Sequence, residues 1–143
     1  MKTHKSNLIA VFLMIVYLAA VAYCCFGVFN SIPNVQRSYF GIPTDKIVHF
    51  LMFFPYPFLC FMMIDNHKNG LWHRLLLVLA SFLSGCMIAA STEIGQSFTT
   101  YRSGDIRDYY ADILALGIAS FITLIAAMLK PEKDKKGKKK KSR

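Results

Sequence analysis

No segment of this 143-residue chain is both long enough and polar enough to fold as a soluble domain. Acidic residues are scarce, eight Asp and Glu against 17 Lys and Arg. Cys-x-x-Cys is absent. The four cysteines (Cys24, Cys25, Cys60 and Cys86) all fall inside apolar runs, where they read as small packing residues and build neither a disulfide framework nor a thiolate metal site. HExxH, Gly-x-Ser-x-Gly and the phosphate-binding loop are missing, so no standard hydrolase or nucleotide chemistry is announced. No internal repeat of the kind that builds transporters is present.

What the chain does have is apolar sequence. Residues of hydrophobic type make up 55% of it, which points to a membrane class. Four runs stand out: Leu8 to Phe29, Ile47 to Ile64, Leu75 to Thr92 and Tyr109 to Leu129. They hold 18 to 22 residues each, close to the roughly 20 that a spanning helix needs. His49 and Asp112 are the only ionisable intrusions besides aromatic and cysteine side chains. The expected fold is an all-α membrane protein of four transmembrane helices, with spans near 8–29, 47–64, 75–92 and 109–129. Residues 1–129 form the membrane domain and 130–143 a disordered Lys-rich tail.

The first run has a basic start and an Ala20-Val21-Ala22 stretch, as a signal peptide would. A signal's apolar region is shorter, about 7–15 residues, and Tyr23 before Cys24 does not fit a lipobox. The run is expected to remain as an anchor. Most of the net charge of +9 sits in the tail, where nine Lys and Arg face Glu132 and Asp134. Basic residues flanking spans favour the cytoplasm. Lys2, Lys5, Lys68, Arg74 and the tail would share that side of a four-span protein. Both termini are therefore expected in the cytoplasm, and the loops after the first and third spans outside. The tail has no interleaved aromatics for stacking on bases, so it reads as a topology signal that touches anionic headgroups, with no specific nucleic-acid partner.

The polar residues that remain concentrate at three span ends on the outer side. Asp45 and His49 are four apart at the start of the second span, with Lys46 between them. Glu93 and Gln96 are three apart at the end of the third, and so share a helical face. Asp108 and Asp112, four apart, open the fourth, where the helix dipole favours negative charge. Thr44 and Asp45 can cap the second helix after Pro43. Arg102 lies in the connecting loop and can clamp a carboxylate. Asp112 lies a turn deeper than Asp108 and needs a partner, for which Arg102, Lys46 and His49 are candidates. Ionisable groups at headgroup depth are costly unless paired. Asp45, Lys46, His49, Glu93, Gln96, Arg102, Asp108 and Asp112 are thus taken together as a ligand-binding cluster.

Pro55 and Pro57 interrupt the second span and should kink it, either opening a cavity below His49 or only shaping packing. Small residues recur in the third span (Ser81, Ser84, Gly85, Ala89, Ala90) and the fourth (Ala111, Ala115, Ala119, Ser120). Such spacing lets helices approach closely. The two are expected to pack as a hairpin that brings Glu93 near Asp108.

The order Asp45-Lys46-x-x-His49-Phe50, then Glu93-x-x-Gln96 after a small-residue helix, then Arg102-Ser103, then Asp108 with Ala111 and Asp112 resembles the VanZ-like family of small bacterial membrane proteins. The resemblance covers about Pro43 to Ser120, and its second half is the more specific. The family often carries Asn where this chain has Asp112, and Gly where it has Ala115. Gly117 is the nearby residue that would give the close helix contact instead. The resemblance implies a multi-pass protein of the bacterial cytoplasmic membrane. It also implies an outward-facing site, since the family is named after a factor linked to glycopeptide resistance.

Two functional classes follow. In the first, a non-enzymatic envelope protein binds lipid headgroups, a lipid-linked cell-wall precursor, or a glycopeptide- or lipopeptide-type antibiotic. In the second, a membrane-embedded enzyme acts on a lipid-linked phosphate or glycan, with His49 beside Asp45 as general base. Asp, His and Glu are metal-ligand types, but their spacing here matches no metal motif, and no metal or other cofactor is expected.

Overall fold

A computed structural model of the full chain describes residues 2–27, 38–39, 41–64, 70–100 and 104–129. Helix α1 spans Lys2–Phe26; a two-residue ladder pairs β1 (Ser38–Tyr39) with β2 (Ile42–Pro43); α2 (Thr44–Phe53) and α3 (Tyr56–Ile64) follow, then α4 (Leu71–Ser97) and α5 (Ile106–Leu129). Gly41 turns the ladder at φ 79°, a backbone state that favours glycine. Four units are long and apolar enough to cross a membrane: Leu8–Phe26, Thr44–Ile64, Leu71–Ser97 and Ile106–Leu129. The molecule is an all-α multi-pass protein apart from that short ladder. The tail from Lys130 lies outside the described residues.

Each helix buries a narrow stripe and exposes large apolar side chains elsewhere. On α1 the stripe is Ala10, Met14, Val21 and Cys25, while Leu8, Ile9, Phe12 and Ile15 point outward. Outward Leu, Ile and Phe on every long helix suit a hydrocarbon solvent, and small residues inside let the helices approach. Ala89, Ala115 and Ala119 are fully buried between α4 and α5, as the small-residue spacing predicts for a tight hairpin. The residue that permits the closest approach is Gly85. A Cβ there would lie 2.6 Å from a Leu116 methyl and 3.0 Å from the Tyr56 ring. Gly117 does not do this, since its Cβ would meet only Phe82, at 3.9 Å.

The double proline splits the second span into α2 and α3. Phe54 and Pro55 form the break, and the Tyr17 hydroxyl of α1 donates to the Met52 carbonyl there (2.8 Å). A neighbouring helix thus supplies a partner where proline interrupts the ladder. The groove at this break is lined by Tyr17, Ala20, Val21, Cys24, Leu51, Met52 and Pro55. It does not reach His49, so the kink shapes the packing of α1, which lies mainly on α3.

Several hydroxyls in the core find nearby partners. Ser81, Thr92 and Thr123 donate to carbonyls three or four residues back, and Tyr56 shares a hydrogen bond with Ser84 (3.0 Å). Arg74, expected as a loop residue, is instead inside α4 and 3% exposed. Its guanidinium donates to the Ala127 carbonyl at the last turn of α5 (3.0 Å), where a helix end leaves carbonyls without helical partners. Arg74→Leu should destabilise the bundle by about 1.5–3 kcal/mol, the worth of a hydrogen bond from a charged group. Thermal unfolding of detergent-solubilised protein checks this, and an unchanged midpoint would refute it.

Candidate functional site

The three-helix end expected from the sequence is assembled, and α1 joins it. The first turns of α2 and α5 lie beside the last turns of α4. Lys46, on α2, has its ammonium 2.7 Å from Asp108 Oδ1, 3.2 Å from Asp105 Oδ2 and 3.5 Å from Asp45 Oδ2. One turn deeper, His49 is buried. Its Nδ1 lies 3.2 Å from Asp112 Oδ1 and 3.7 Å from Glu93 Oε1, and its Nε2 is 3.8 Å from Asp108 Oδ2. Asp112 is fully buried, and His49 is the partner that its depth demands.

Five carboxylates, those of Asp45, Glu93, Asp105, Asp108 and Asp112, therefore surround one lysine and one histidine. Within this set of contacts among the described residues, carboxylates outnumber cations. Solvent reaches the outer ring, where Asp45 and Asp105 are more than 40% exposed at their side chains, and not the inner ring of His49 and Asp112.

Asp105 is the residue that sequence reasoning left out of the cluster. It precedes α5 and caps it: the Arg107 N–H donates to Oδ1 (2.9 Å), and the Asp105 carbonyl accepts from Asp108 N–H (2.8 Å). The available signal was an Asp immediately before an apolar helix, the usual N-cap position. The Arg107 N–H, and after it the Lys46 ammonium, holds the Asp105 carboxyl below the usual carboxylate range. Asp105 also donates its own N–H to Glu93 Oε2 (3.1 Å), tying the start of α5 to the end of α4.

Gly104 makes that tie possible. A Cβ at this position would sit 2.7 Å from the Glu93 carbonyl oxygen, a backbone atom that cannot step aside. Gly104→Ala is expected to cost about 1–3 kcal/mol as an overpacking change and to loosen Glu93. Faster hydrogen exchange at the Asp105 amide would show it, and unaltered exchange would count against it.

Other expectations resolve differently. The residue at the N-cap of α2 is Pro43, with no side-chain cap bond, and Asp45 pairs with Lys46. The pairing of His49 with Asp45 is replaced by contacts with Asp112, Glu93 and Asp108. Gln96 is buried, and its amide donates to the Cys25 carbonyl near the end of α1 (3.1 Å). Arg102 and Tyr101 lie outside the described residues.

A profile of the family described as VanZ/LLP1 matches residues 8–127. The chain belongs to the VanZ/LLP1 family. The match takes in all four apolar helices and every residue of the cluster, so Lys46, His49, Glu93, Asp108 and Asp112 sit within the VanZ/LLP1 region itself. No curated protein and no solved structure matches the chain.

Proposed function

We propose that this VanZ/LLP1 protein is a non-enzymatic component of the bacterial cytoplasmic membrane that binds the polar head of an amphiphile at the outer leaflet. The observation that carries the reading is the junction of two surfaces at Lys46. On one side is the carboxylate-rich cluster. On the other is an apolar groove of about 350 Å³ between α2 and α5, lined by Ile42, Lys46, Ile47, Phe50, Leu51, Ala111 and Leu114. An acyl or prenyl chain lying in the groove puts its head beside Lys46, Asp105 and Asp45. Lys46 meets a phosphate or carboxylate as a point charge. The exposed carboxylates take amines and hydroxyls, as an ethanolamine or amino-sugar head offers. Lipid headgroups, lipid-linked cell-wall precursors and glycopeptide- or lipopeptide-type antibiotics all combine an apolar tail or face with such groups, which is how a resistance role would arise.

The test is binding of a lipid-linked cell-wall precursor and of a lipoglycopeptide to the purified chain in lipid nanodiscs, followed by native mass spectrometry. Leu114→Trp, which fills the groove, should reduce retention of tailed ligands and leave water-soluble head fragments unaffected. Retention indifferent to Leu114→Trp and to Asp105→Asn would remove the basis of the reading. Lys2, Lys5 and the Lys-rich tail support an orientation with both termini in the cytoplasm. Reporter fusions after Gln36 and after Arg143 should report opposite sides, and the same side for both would reverse that assignment.

The second reading, an enzyme acting on a lipid-linked phosphate or glycan, is favoured by one observation: a buried imidazole held 3.2 Å from a fully buried carboxylate, an arrangement suited to a general base. Turnover of a labelled polyprenyl phosphate, lost in His49→Ala, would select it.

A further inference from the structure

We propose that His49 Nδ1, Glu93 Oε1 and Asp112 Oδ1 form a binding site for one divalent metal ion of the zinc or manganese class. The three residues come from α2, α4 and α5, and each offers a ligand atom within 4.8 Å of the others'. The two separations from His49, 3.2 Å to Asp112 and 3.7 Å to Glu93, bracket the spacing of about 3.4 Å between ligands on a tetrahedral ion with bonds of about 2.0–2.1 Å. All three residues are buried, and two carboxylates beside one imidazole leave a negative charge that a dication offsets.

A protonated His49 alone does not satisfy this set. Its single Nδ1–H reaches one carboxylate, and Asp112 is the nearer. Glu93 Oε1 is buried and has no hydrogen-bond partner among the described residues, although Glu93 is only 9% exposed. The oxygen lies 3.7 Å from the same Nδ1 that Asp112 approaches to 3.2 Å. One ion beside Nδ1 would engage all three.

The surroundings orient each donor for this task. His49 Nε2 faces Asp108 Oδ2, and Asp108 is in turn fixed by Lys46 at 2.7 Å. Nδ1 itself pairs with Asp112 at 3.2 Å, while Asp108 at 3.8 Å from Nε2 is beyond hydrogen-bond reach; with an ion on Nδ1 the imidazole carries its proton on Nε2, and Asp108 is the carboxylate on that side to serve as the outer partner that metal-bound histidines ordinarily have. Glu93 is steadied through Oε2 by the Asp105 N–H, leaving Oε1 available. Three protein ligands leave a coordination position for water or for an oxygen of a bound head. The site does not depend on the amphiphile reading, because it needs neither the groove nor Lys46 as a ligand contact.

The experiment uses the full chain purified in detergent, stripped with a chelator and titrated with Zn²⁺, Mn²⁺ and, as a spectroscopic probe, Co²⁺. Saturable uptake of one equivalent per chain is expected. Asp108→Asn should weaken it by about 10–100-fold, as loss of an outer partner does. Glu93→Cys should add a thiolate-to-cobalt charge-transfer band absent from the parent. Arg107→Gln, an exposed position off the donor set, should bind like the parent. Two results would each overturn the proposal: no saturable binding by the unaltered protein, or binding undiminished in a His49→Gln, Asp112→Asn double variant. Failure here with groove-dependent binding of tailed ligands intact would leave the amphiphile reading standing. The reverse result would remove that reading and keep the metal.

Discussion

His49→Leu is expected to be the most damaging single substitution in the chain, at about 3–5 kcal/mol, the usual cost of breaking a buried charged set by removing one partner. The imidazole contacts three carboxylates at once, and Asp112 is fully buried behind it. Leucine fills similar space and supplies no polar contact, so Asp112 and Glu93 would face an apolar side chain with their oxygens uncompensated. Asp112→Leu alone strands less, because His49 keeps Glu93 and Asp108 beside it. Combining the two should cost less than the sum, since the second change removes the charge that the first exposed. A coupling of about 1–3 kcal/mol is the size expected for residues in one network. Unfolding midpoints of the two single variants and the double in one detergent measure it. Strict additivity would mean that the imidazole and carboxylate do not interact. The double variant also separates roles: regained stability without regained ligand or metal binding marks the pair as functional as well as structural.

Lys46→Met is expected to follow, level with Arg74→Leu at about 1.5–3 kcal/mol, smaller than the loss at His49 because Lys46 is partly exposed and its outer pairs are screened. Its ammonium is the only lysine or arginine charge among the described residues that joins Asp45, Asp105 and Asp108. Without it the first turns of α2 and α5, which pack together at this end, would repel. Lys46→Arg keeps the charge and should retain most of the stability, while its planar fork changes how a head is met. Stability measured in parallel with retention of an anionic, tailed lipid distinguishes the two contributions. If Met at this position left both untouched, the lysine would be a bystander at the rim.

Much of the fold was legible because the bilayer imposes a simple rule. A backbone polar group facing lipid needs a partner within the protein, and a helix supplies nearly all of them within one segment, so a run of about 20 apolar residues becomes a helix. That rule is enough for the four spans, for the split at Pro55 and Pro57, and for the small residues that line α4 and α5. Individual ends were harder. Arg74 counts as a flanking charge by its sequence, yet the α5 carbonyl that accepts from it draws the side chain inward. Glu93 and Gln96 continue α4 as a helix, which places them one turn apart, but only the packing of α1 and α2 decides that Gln96 turns to Cys25 while Glu93 turns to His49.

Composition and order alone determine that this is a multi-pass membrane protein with four apolar helices and its ionisable residues gathered at three helix ends, because charge is expelled from hydrocarbon regardless of tertiary detail. Tertiary structure alone decides who pairs with whom. His49, Glu93 and Asp112 lie on three helices and far apart along the chain, so no spacing encodes their meeting. Distances of 3.2 and 3.7 Å around one imidazole nitrogen arise only when α2 and α4 are both packed against α5. Gly85 sets how closely the helices approach at mid-membrane, and Gly104 sets how closely the turn into α5 lies on Glu93.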